Sequence, residues 1–592
     1  MLLSRIRLQH VAIAIVLLCI AIFGLHLGND FVLLDDGILI FRNPFIAQLT
    51  PWSLKMIFTT YDPELYVPLT LFTYQIEHLL FGFKPFFFHL DNLLLHIANA
   101  LLVLTITYKI SRKNLALAAF VAILFAIHPL HTEAVLWASA RKDTLSALFF
   151  LLSMDAFLRY RSRENKKWYI GSIVFFLLAL LSKVSVIMLP FIFLMLDVRD
   201  KRPLKKSLLE QIPYFVLAMI FGIVAILGKT KNIAGSDPLT TLLLAMKSTV
   251  FYIAKLFVPL QLSVIYPQTD PVSLMAPEFI AIILGCIALA IIFFVSLRYA
   301  KDVAFGLAFF GLMLIPNYSN FLKNNFFYFA SDRYAYLASV GFFLAIGAVL
   351  VPFVQKKSTI AASAFLTVIV IFSGLTFVHG KTWKNSEALY RNVLDNYPRS
   401  GVALNNLGDV LMKQDDAAAA KEYFEQALEV SPGLLQAHLN LGNVYRAENA
   451  LDKAVEEYRM FIRIAEQKDV MGPEDMAGYY FLGETLESMG KHQESIRQFE
   501  IATEKGPEFA ETFFNLGLQY QKRDRTNEAV KIFEQAVRVD PLYARAHYHL
   551  AGVYGETGNI AGAIRELEIV LRLDPANAAA RAHLQNLKQI RR

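Results

Sequence analysis

Long apolar runs fill most of the first 380 residues of this 592-residue chain, and they constrain its fold more than any other feature. A helix needs about 20 apolar residues to cross the hydrocarbon core of a bilayer. Runs that approach this length lie at 11–27, 86–109, 115–128, 133–158, 168–181, 184–198, 210–228, 240–261, 278–297, 303–317, 334–354 and 358–378. Because several are short or interrupted by proline, the pattern predicts a bundle of 11 or 12 membrane spans.

The composition agrees with a membrane chain. Hydrophobic residues make up 56% of it and charged residues 18%, whereas soluble proteins average about 45–50% and about 25%. These values exclude a disordered or collagen-like chain and disfavour an ordinary cytosolic enzyme. Both cysteines, Cys19 and Cys286, lie inside apolar runs, so no disulfide framework is expected. The net charge of +7 is typical of basic cytoplasmic loops, and we expect no nucleic-acid partner.

Basic loops predict the orientation, because lysine and arginine accumulate in short cytoplasmic loops. The linkers 159–167 and 199–206 each contain five such residues. The run at 11–27 could be a signal peptide, but further spans follow it and no small-residue cleavage site does, so we expect an uncleaved anchor. If both linkers lie inside, the N-terminus lies inside as well and the loop after this run lies outside. As a span, the run at 240–261 gives 12 crossings and a cytoplasmic C-terminus. As an interfacial helix it gives 11 crossings and an outer C-terminus, which agrees better with the later basic residues.

Beyond residue 400 the sequence repeats with a period of 34 residues. Small and aromatic residues recur at the positions of a tetratricopeptide repeat (TPR), as Gly408 and Phe424 do in the first unit. Small residues let the two helices of a unit cross closely, and the aromatic residues fill the gap beside them. The fifth unit has Ala551 in place of the glycine. The units cover 401–434, 435–468, 476–509, 510–543 and 544–577, and a capping helix follows at 578–592.

We therefore expect an all-α protein with three parts. A transmembrane domain covers 1–380, a connecting helix covers 381–400, and a TPR α-solenoid covers 401–592. Solenoids of this kind present a concave surface to other proteins, so a protein partner is expected there. The repeat positions build the fold and do not specify that partner.

Two adjacent carboxylates, Asp35 and Asp36, follow the first run. Neighbouring acids repel each other and are costly close to lipid, so a function is expected for them. They could supply a general base or a metal ligand at the membrane surface. A solvated loop with an acidic helix cap would also explain them.

A second polar cluster, His128-Pro129-Leu130-His131-Thr132-Glu133, separates two apolar runs. His128, His131 and Glu133 could hold a metal, or orient a phosphate or a sugar hydroxyl. The proline and the spacing of three residues disfavour a metalloprotease helix. A polar turn that caps a helix is the simpler interpretation.

Isolated charges within the apolar half are functional candidates by default. Arg141, Lys142 and Asp143 follow the histidine cluster, and a mutual salt bridge would also account for them. Lys183 lies in a short turn between two runs, and Arg333 lies in Ser331-Asp332-Arg333-Tyr334. A guanidinium there could bind a lipid-linked phosphate through two hydrogen bonds, or extend to lipid head groups.

Four polar residues lie on one face of the run at 86–109, because they are three or four residues apart. They are His89, Asn92, His96 and Asn99. Hydrogen bonds between packed helices are the expected role of this face.

These elements, in this order, resemble the transmembrane and TPR-containing O-mannosyltransferases (the TMTC family) and their prokaryotic relatives, which are GT-C glycosyltransferases. The resemblance extends over nearly the whole chain. Its most specific parts are the stretch 128–135 and the stretch around Arg333. The other matching segments are Asp35-Asp36, Asn43-Pro44, Pro68-Leu69, Phe88-His89-Leu90, Arg141 with Asp143, Ser182-Lys183, Asp332–Leu337 and Ser339-Val340-Gly341. Val67, Asp332 and Val184 depart from the residues usual at those positions, and the departures concern donor recognition.

The resemblance implies a multi-pass enzyme of a bacterial inner membrane or the endoplasmic reticulum. It would transfer a sugar, mannose in the named family, from a polyprenyl-phosphate donor to a protein hydroxyl, on the periplasmic or lumenal side. Asp35 would be the general base with support from Asp36, and Arg333 and Lys183 would bind the donor phosphate. The pocket would be lined by His128, His131, Glu133, Arg141 and Asp143. The TPR groove would bind the protein acceptor.

No cofactor is required by this scheme, and a divalent metal at Asp35, His131 and Glu133 is left open. Two other functions fit many spans followed by repeats. One is a polysaccharide ligase or polymerase, whose basic residues are expected in a long late outer loop. The other is a membrane scaffold without catalytic activity, which recruits partners through its repeats.

Overall fold

The computed structural model describes residues 7–61, 65–229, 237–268, 270–320, 322–323, 326–356, 358–467 and 472–590. These residues form two compact units, Met1–Pro398 and Arg399–Arg592. Helices dominate both units, as the all-α prediction requires.

The first unit is a bundle of helices whose bounds follow the apolar runs closely. Helix α5 covers Leu115–Ile127, for example, where the sequence predicts 115–128. The helices are α1 (Leu8–Phe23), α2 (Pro51–Thr59), α3 (Pro68–Phe81), α4 (Pro85–Ile110), α5, α6 (Thr132–Leu136), α7 (Arg141–Arg163), α8 (Lys166–Ser182), α9 (Leu189–Arg199), α10 (Leu204–Lys229), α11 (Pro238–Phe257), α12 (Pro277–Tyr299), α13 (Lys301–Leu314), α14 (Ala335–Lys356), α15 (Ser358–Gly380) and α16 (Ser386–Asn396).

The run predicted as one span at 133–158 is broken in the structure. Helix α6 ends at Leu136, a single 3-10 turn covers Ala138–Ala140, and α7 begins at Arg141. The break lies directly before the charged residues Arg141, Lys142 and Asp143, whose side chains contact other parts of the protein instead of facing lipid. Hydropathy alone does not locate it, because the flanking residues are apolar.

Seven of the described helices are long and apolar enough to cross a membrane, and the bent pair Leu115–Ile127 and Pro129–Leu136 would make an eighth. This count is lower than the 11 or 12 spans predicted. Helices α8, α9 and α13 have 17, 11 and 14 residues, below the length of an independent span. By length and composition the chain is a multi-pass membrane protein. Helix α11 is among the seven, as the 12-span alternative requires.

A small antiparallel sheet adds the only strands found among the described residues. Its strand order is β1 (Tyr266–Pro267), β3 (Phe326–Ala330) and β2 (Leu322–Lys323). Tyr266 pairs with Ala330, the last residue of β3. Arg333 follows three residues later in the chain.

The second unit consists of five helix pairs and a closing helix, which confirms the TPR prediction. Their bounds are α17 (Gly401–Lys413), α18 (Ala417–Val430), α19 (Leu435–Ala447), α20 (Leu451–Ala465), α21 (Ala477–Ser488), α22 (His492–Lys505), α23 (Ala510–Gln521), α24 (Thr526–Val539), α25 (Ala544–Glu556), α26 (Ile560–Leu573) and α27 (Ala578–Ile590). A Cβ added to Gly408 would lie 2.6 Å from the ring of Phe424, and a Cβ added to Gly442 would lie 2.6 Å from the ring of Tyr458. Both positions therefore need glycine for the close packing of the aromatic ring.

The fifth TPR unit shows why Ala551 can replace the glycine. Phe424 follows Gly408 by 16 positions, and the residue 16 positions after Ala551 is Leu567. Ala551 and Leu567 are both fully buried in one apolar cluster. Because leucine is smaller than an aromatic ring, it leaves space for the alanine methyl group.

Helices α13 and α14 approach each other at two glycines. A Cβ added to Gly306 would lie 2.5 Å from the carbonyl oxygen of Gly341 and 2.7 Å from the backbone nitrogen of Ala345. Both atoms belong to the backbone of α14, so they cannot move aside as a side chain can. Small residues allow this close contact between helices in a membrane.

We expect Gly306→Ala to destabilise the first unit by about 1–3 kcal/mol, because the added methyl group forces α13 and α14 apart. The measurement is the apparent melting temperature of the full-length protein in detergent. Gly311→Ala is the matched control, since Gly311 lies on the same helix and a Cβ there would meet nothing within 4 Å. Equal melting temperatures for the two variants would contradict the close approach.

Candidate functional site

The acidic pair after α1 divides into one buried and one exposed carboxylate. Asp36 is fully buried, and it accepts hydrogen bonds from the Val32 backbone nitrogen at 2.9 Å and from Ser139. The Ser139 nitrogen donates over 3.0 Å and its hydroxyl over 2.5 Å, both to Asp36 Oδ1. Asp36 therefore fixes the acidic loop against the turn between α6 and α7.

Burial raises the pKa of Asp36 to about 6, although its hydrogen bonds to Ser139 and Val32 act in the opposite direction. The negative charge of Asp35 adds a smaller increase. With its oxygens engaged inside the protein, Asp36 is suited to positioning the loop.

Asp35 keeps 42% of its side chain exposed, and its Oδ2 lies 3.7 Å from the Nζ of Lys142. Lys142 is buried, donates to the Ser139 carbonyl oxygen at 2.8 Å and lies over the ring of Trp137. The carboxylate of Asp35 is therefore open to solvent and faces a fixed ammonium group.

Arg333 is held by Glu133, which is fully buried. An ion pair joins Arg333 Nη1 to Glu133 Oε1, and the Arg333 backbone nitrogen donates to Glu133 Oε2 at 3.2 Å. The hydroxyl of Ser331 donates to Glu133 Oε1 at 2.7 Å. The guanidinium also lies over the rings of Trp137 and Tyr334, 4.9 and 5.0 Å from their centroids.

Lys183 forms an ion pair with Asp143 close to Arg333, with 2.5 Å between Nζ and Oδ1. Its ammonium group lies 5.5 Å from the centroid of the Tyr334 ring. Asp143, Arg333 and Tyr334 line one small cleft, together with Ser146, Ser185, Val186, Met313, Asn317, Tyr336 and Leu337. Of the two predicted donor-binding cations, Arg333 therefore lines this cleft itself, and Lys183 is joined to it through Asp143.

Six charged side chains form what we name the charge cluster: Asp35, Glu133, Lys142, Asp143, Lys183 and Arg333. Lys142 interacts electrostatically with Asp35, Arg333, Asp143 and Lys183. Arg333 interacts with Glu133, Asp143 and Asp35. The cluster is charge-balanced as it stands, with three acids and three bases. The Nε of Arg333 and the Oδ2 of Asp143 are buried and have no hydrogen-bond partner among the described residues.

Arg141, which was predicted to line the pocket, lies outside the charge cluster. Its Nη1 forms an ion pair with Glu77 Oε2 at 2.5 Å, and its Nε donates to Asn92 Oδ1 at 3.2 Å. Its Nη2 donates to the Phe88 carbonyl oxygen, and the guanidinium lies 4.6 Å from the centroid of the Tyr74 ring. Arg141 thus joins α7 to α3 and α4.

The two histidines of the polar cluster are engaged in packing. His131 is fully buried, with Nδ1 2.7 Å from the Phe125 carbonyl oxygen and Nε2 3.0 Å from the Ser339 hydroxyl. His128 contacts the Leu256 carbonyl oxygen and accepts from the Leu130 nitrogen. Both rings support the turn that positions Glu133, and neither lines the cleft.

The three metal candidates are not brought together as a ligand set. Asp35 faces Lys142, Glu133 is paired with Arg333, and both nitrogens of His131 are hydrogen-bonded. Within the described ranges, no group of three or more His, Cys, Asp or Glu residues is arranged to hold a metal ion.

Three of the four residues on the polar face of α4, which are Asn92, His96 and Asn99, form the hydrogen bonds that the sequence predicts. Asn92 donates to the Trp137 carbonyl oxygen, and Asn99 donates to that of Thr144. His96 lies 2.8 Å from the Tyr336 hydroxyl. These bonds tie α4 to the segments that carry the charge cluster.

Sequence reasoning did not identify several residues that shape the site. Trp137 lies in an apolar run, so nothing marks it as the ring between Lys142 and Arg333. Nothing in the sequence around Ser139 or Glu77 marks either residue as part of the site. Asp332, one of the unusual residues beside Arg333, is buried and accepts a hydrogen bond from the Tyr266 hydroxyl at 2.7 Å, which ties β1 to the 3-10 turn before α14.

Comparison with known proteins gives matches to both units. Residues 399–467 and 521–587 match family models of the tetratricopeptide repeat. The chain is 26% identical over 444 residues to the protein O-mannosyl-transferase TMTC3 of Homo sapiens, an alignment that covers 67% of this chain and 48% of that protein. For TMTC4 of Homo sapiens the identity is 25% over 481 residues, and the coverage is 68% and 64%. The resemblance predicted from the motifs is thereby confirmed.

The chain spans about half the length of TMTC3. A shorter stretch of 148 residues is 36% identical to TMTC1 of Mus musculus, covering 24% of this chain and 15% of that protein. Among solved structures, YrrB, described as a TPR protein with an unusual peptide-binding site, covers 33% of this chain and 97% of its own. Its identity is 18% and its TM-score 0.26.

Proposed function

We propose that this chain, which is similar to the TMTC protein O-mannosyl-transferases, is a membrane glycosyltransferase. It moves a sugar, mannose by the resemblance, from a polyprenyl-phosphate donor to a hydroxyl of a protein. One observation carries the proposal. The charge cluster sets an exposed carboxylate, Asp35, beside the cations Lys142, Arg333 and Lys183, and two of its members, Arg333 and Asp143, line a small cleft.

The reaction needs opposite charges at its two ends. The bond between the sugar C1 and the phosphate oxygen breaks, and the leaving lipid phosphate is stabilised by cations. The acceptor oxygen bonds to C1 and releases its proton to a base. Arg333 and Lys183 are suited to the phosphate, and Asp35 is suited to the proton.

The buried partners explain how the cations remain in place before the donor arrives. Glu133 and Asp143 balance the charges of Arg333 and Lys183. A donor phosphate brings its own negative charge, and the free Nε of Arg333 offers it a further hydrogen bond. Asp36 holds the acidic loop through Ser139 and Val32, so its role is to position Asp35.

The TPR unit is assigned to the acceptor in this proposal. Stacked repeats present a concave surface to extended or folded protein segments. We place the site and the repeats on the periplasmic or lumenal side, following the charges of the later loops. This placement treats α11 as an interfacial helix, although its length and composition would let it cross the membrane. A scaffold without activity would not require the charge cluster at all.

Lys183→Gln is expected to raise the KM for the donor about tenfold, because one cation facing the phosphate is lost, while kcat changes less. The assay follows transfer from polyprenyl-phosphate-mannose to acceptor proteins in membranes that contain the full-length chain. Lys384→Gln serves as the control, since Lys384 is exposed and outside the charge cluster. An unchanged donor KM would remove Lys183 from the donor site. No transfer by the wild-type chain, tested with acceptor proteins from its own host, would contradict the proposed function.

A further inference from the structure

A second cavity lies at the other end of α7 from the charge cluster. It has a volume of about 780 Å³ and is formed by the end of α7, the start of α8 and the start of α10. Its lining residues are Tyr160, Lys166, Tyr169, Ile170, Pro203, Lys205, Lys206, Leu209 and Glu210. We name it the basic pocket.

The basic pocket and the candidate site lie at opposite ends of the same helix pair. Helix α7 begins at Arg141, beside Lys142 and Asp143, and ends at Arg163 near the pocket. Helix α8 begins at Lys166 in the pocket and ends one residue before Lys183. Helix α7 has 23 residues, which correspond to about 34 Å at 1.5 Å per residue. This length exceeds the hydrocarbon thickness of about 30 Å, so the two sites belong to opposite membrane surfaces.

The basic pocket carries a net positive charge from Lys166, Lys205 and Lys206. The acid at its base, Glu210, is already neutralised, because Arg202 contacts both of its oxygens at 2.9 and 3.2 Å. Tyr160 donates a further hydrogen bond to Glu210 at 3.1 Å. Among the described residues, Lys206 is the only one of the three lysines with an acidic partner, Glu164 at 3.7 Å, and both of those side chains are largely exposed.

The wall of the basic pocket continues into an apolar surface. Ile170 is 60% exposed and Leu209 is 57% exposed. Val174, Ile212 and Val216 are also exposed, one to two turns further along α8 and α10. Helix α10 is one of the helices able to cross a membrane, so this surface faces acyl chains while the lysines lie at its water-facing end.

We propose that the basic pocket binds an anionic phospholipid of the membrane surface opposite to the catalytic site. The lysines contact the phosphate of the head group, and the acyl chains lie along Ile170 and Leu209. Tyr160 and Tyr169 are typical of side chains at the head-group level. Basic pockets between membrane helices bind anionic head groups in this way.

The test uses the full-length protein in detergent, with phosphatidylglycerol and phosphatidylcholine of equal chain length as probes. Native mass spectrometry counts the lipid molecules retained at graded lipid concentrations. We expect the wild type to bind phosphatidylglycerol more tightly than phosphatidylcholine. The triple variant Lys166→Gln, Lys205→Gln, Lys206→Gln is expected to lose affinity for phosphatidylglycerol on the order of 10-fold to 100-fold.

A triple variant with the same change of charge is the control. Lys55, Lys84 and Lys384 are exposed, lie in the same unit and are not part of the pocket. Their replacement by glutamine is expected to leave phosphatidylglycerol binding unchanged.

The source of the phosphate is tested separately. Ile170→Asn is expected to weaken phosphatidylglycerol binding, and millimolar glycerol 3-phosphate is expected not to displace the lipid. Displacement by glycerol 3-phosphate would identify a site for soluble phosphates and overturn the lipid assignment. Equal retention of the two phospholipids, or equal losses in the two triple variants, would overturn it as well. Sugar transfer is not measured, so the result is independent of the proposed function.

Discussion

Asp35→Asn is expected to lower kcat for sugar transfer by about 10²–10⁴-fold, the usual contribution of a general base. Asparagine keeps the size of the side chain but cannot accept the proton of the acceptor hydroxyl. Because Arg333 and Lys183 remain, donor binding is expected to change little. The measurements are kcat for transfer in membranes and, separately, retention of the polyprenyl-phosphate-sugar by the purified protein.

Asp30→Asn is the matched control for this prediction. Asp30 lies in the same loop, is exposed, and is not part of the charge cluster. Asp36→Asn provides a second comparison, because Asp36 acts through the position of the loop. We expect its loss of activity to be accompanied by a lower melting temperature, whereas Asp35→Asn leaves the melting temperature unchanged. Full activity of Asp35→Asn would remove Asp35 as the base.

The second large effect concerns stability. Arg141→Met is expected to destabilise the first unit by about 3–5 kcal/mol, the usual result of removing one partner of a buried ion pair. Both side chains of the pair with Glu77 are almost fully buried. Without the guanidinium, the carboxylate of Glu77 loses its cation, and the Asn92 and Phe88 oxygens lose their donors. The measurement is the apparent melting temperature of the full-length protein in detergent.

The double variant Arg141→Met, Glu77→Leu separates the ion pair from simple packing. Replacing a whole buried pair with apolar residues of similar volume is often neutral, so at least half of the lost stability is expected to return. Arg163→Met is the control, because Arg163 is exposed at the other end of the same helix. If the double variant were less stable than Arg141→Met, the ion pair would not be the cause.

Arg141 also illustrates a limit of prediction from sequence. The sequence marked it as a rare charge within the apolar half, and the resemblance placed it in the pocket. Only the packing of α3 and α4 against α7 shows that it points to Glu77, 64 residues earlier in the chain. Its neighbours Lys142 and Asp143 face the charge cluster instead, because successive residues at the start of a helix point in different directions.

The charge cluster itself was predicted in part. Asp35, Lys183, Glu133, Asp143 and Arg333 were all selected, because charges are scarce in an apolar chain and each one is conspicuous. Their pairing was not predicted, since the partners are separated by 40 to 200 residues in the hydrogen bonds that join them. Trp137 and Ser139 were missed because an aromatic residue or a serine carries no such signal.

The sequence by itself determined the helices, the repeats and the residues that could carry charge into the membrane. Those features depend on local hydropathy and on periodicity, which can be read from neighbouring residues. The tertiary structure decided which charges meet, which carboxylate of the acidic pair remains exposed, and where the 133–158 run breaks. These outcomes depend on burial and on contacts between distant segments, and such contacts form only when the helices pack.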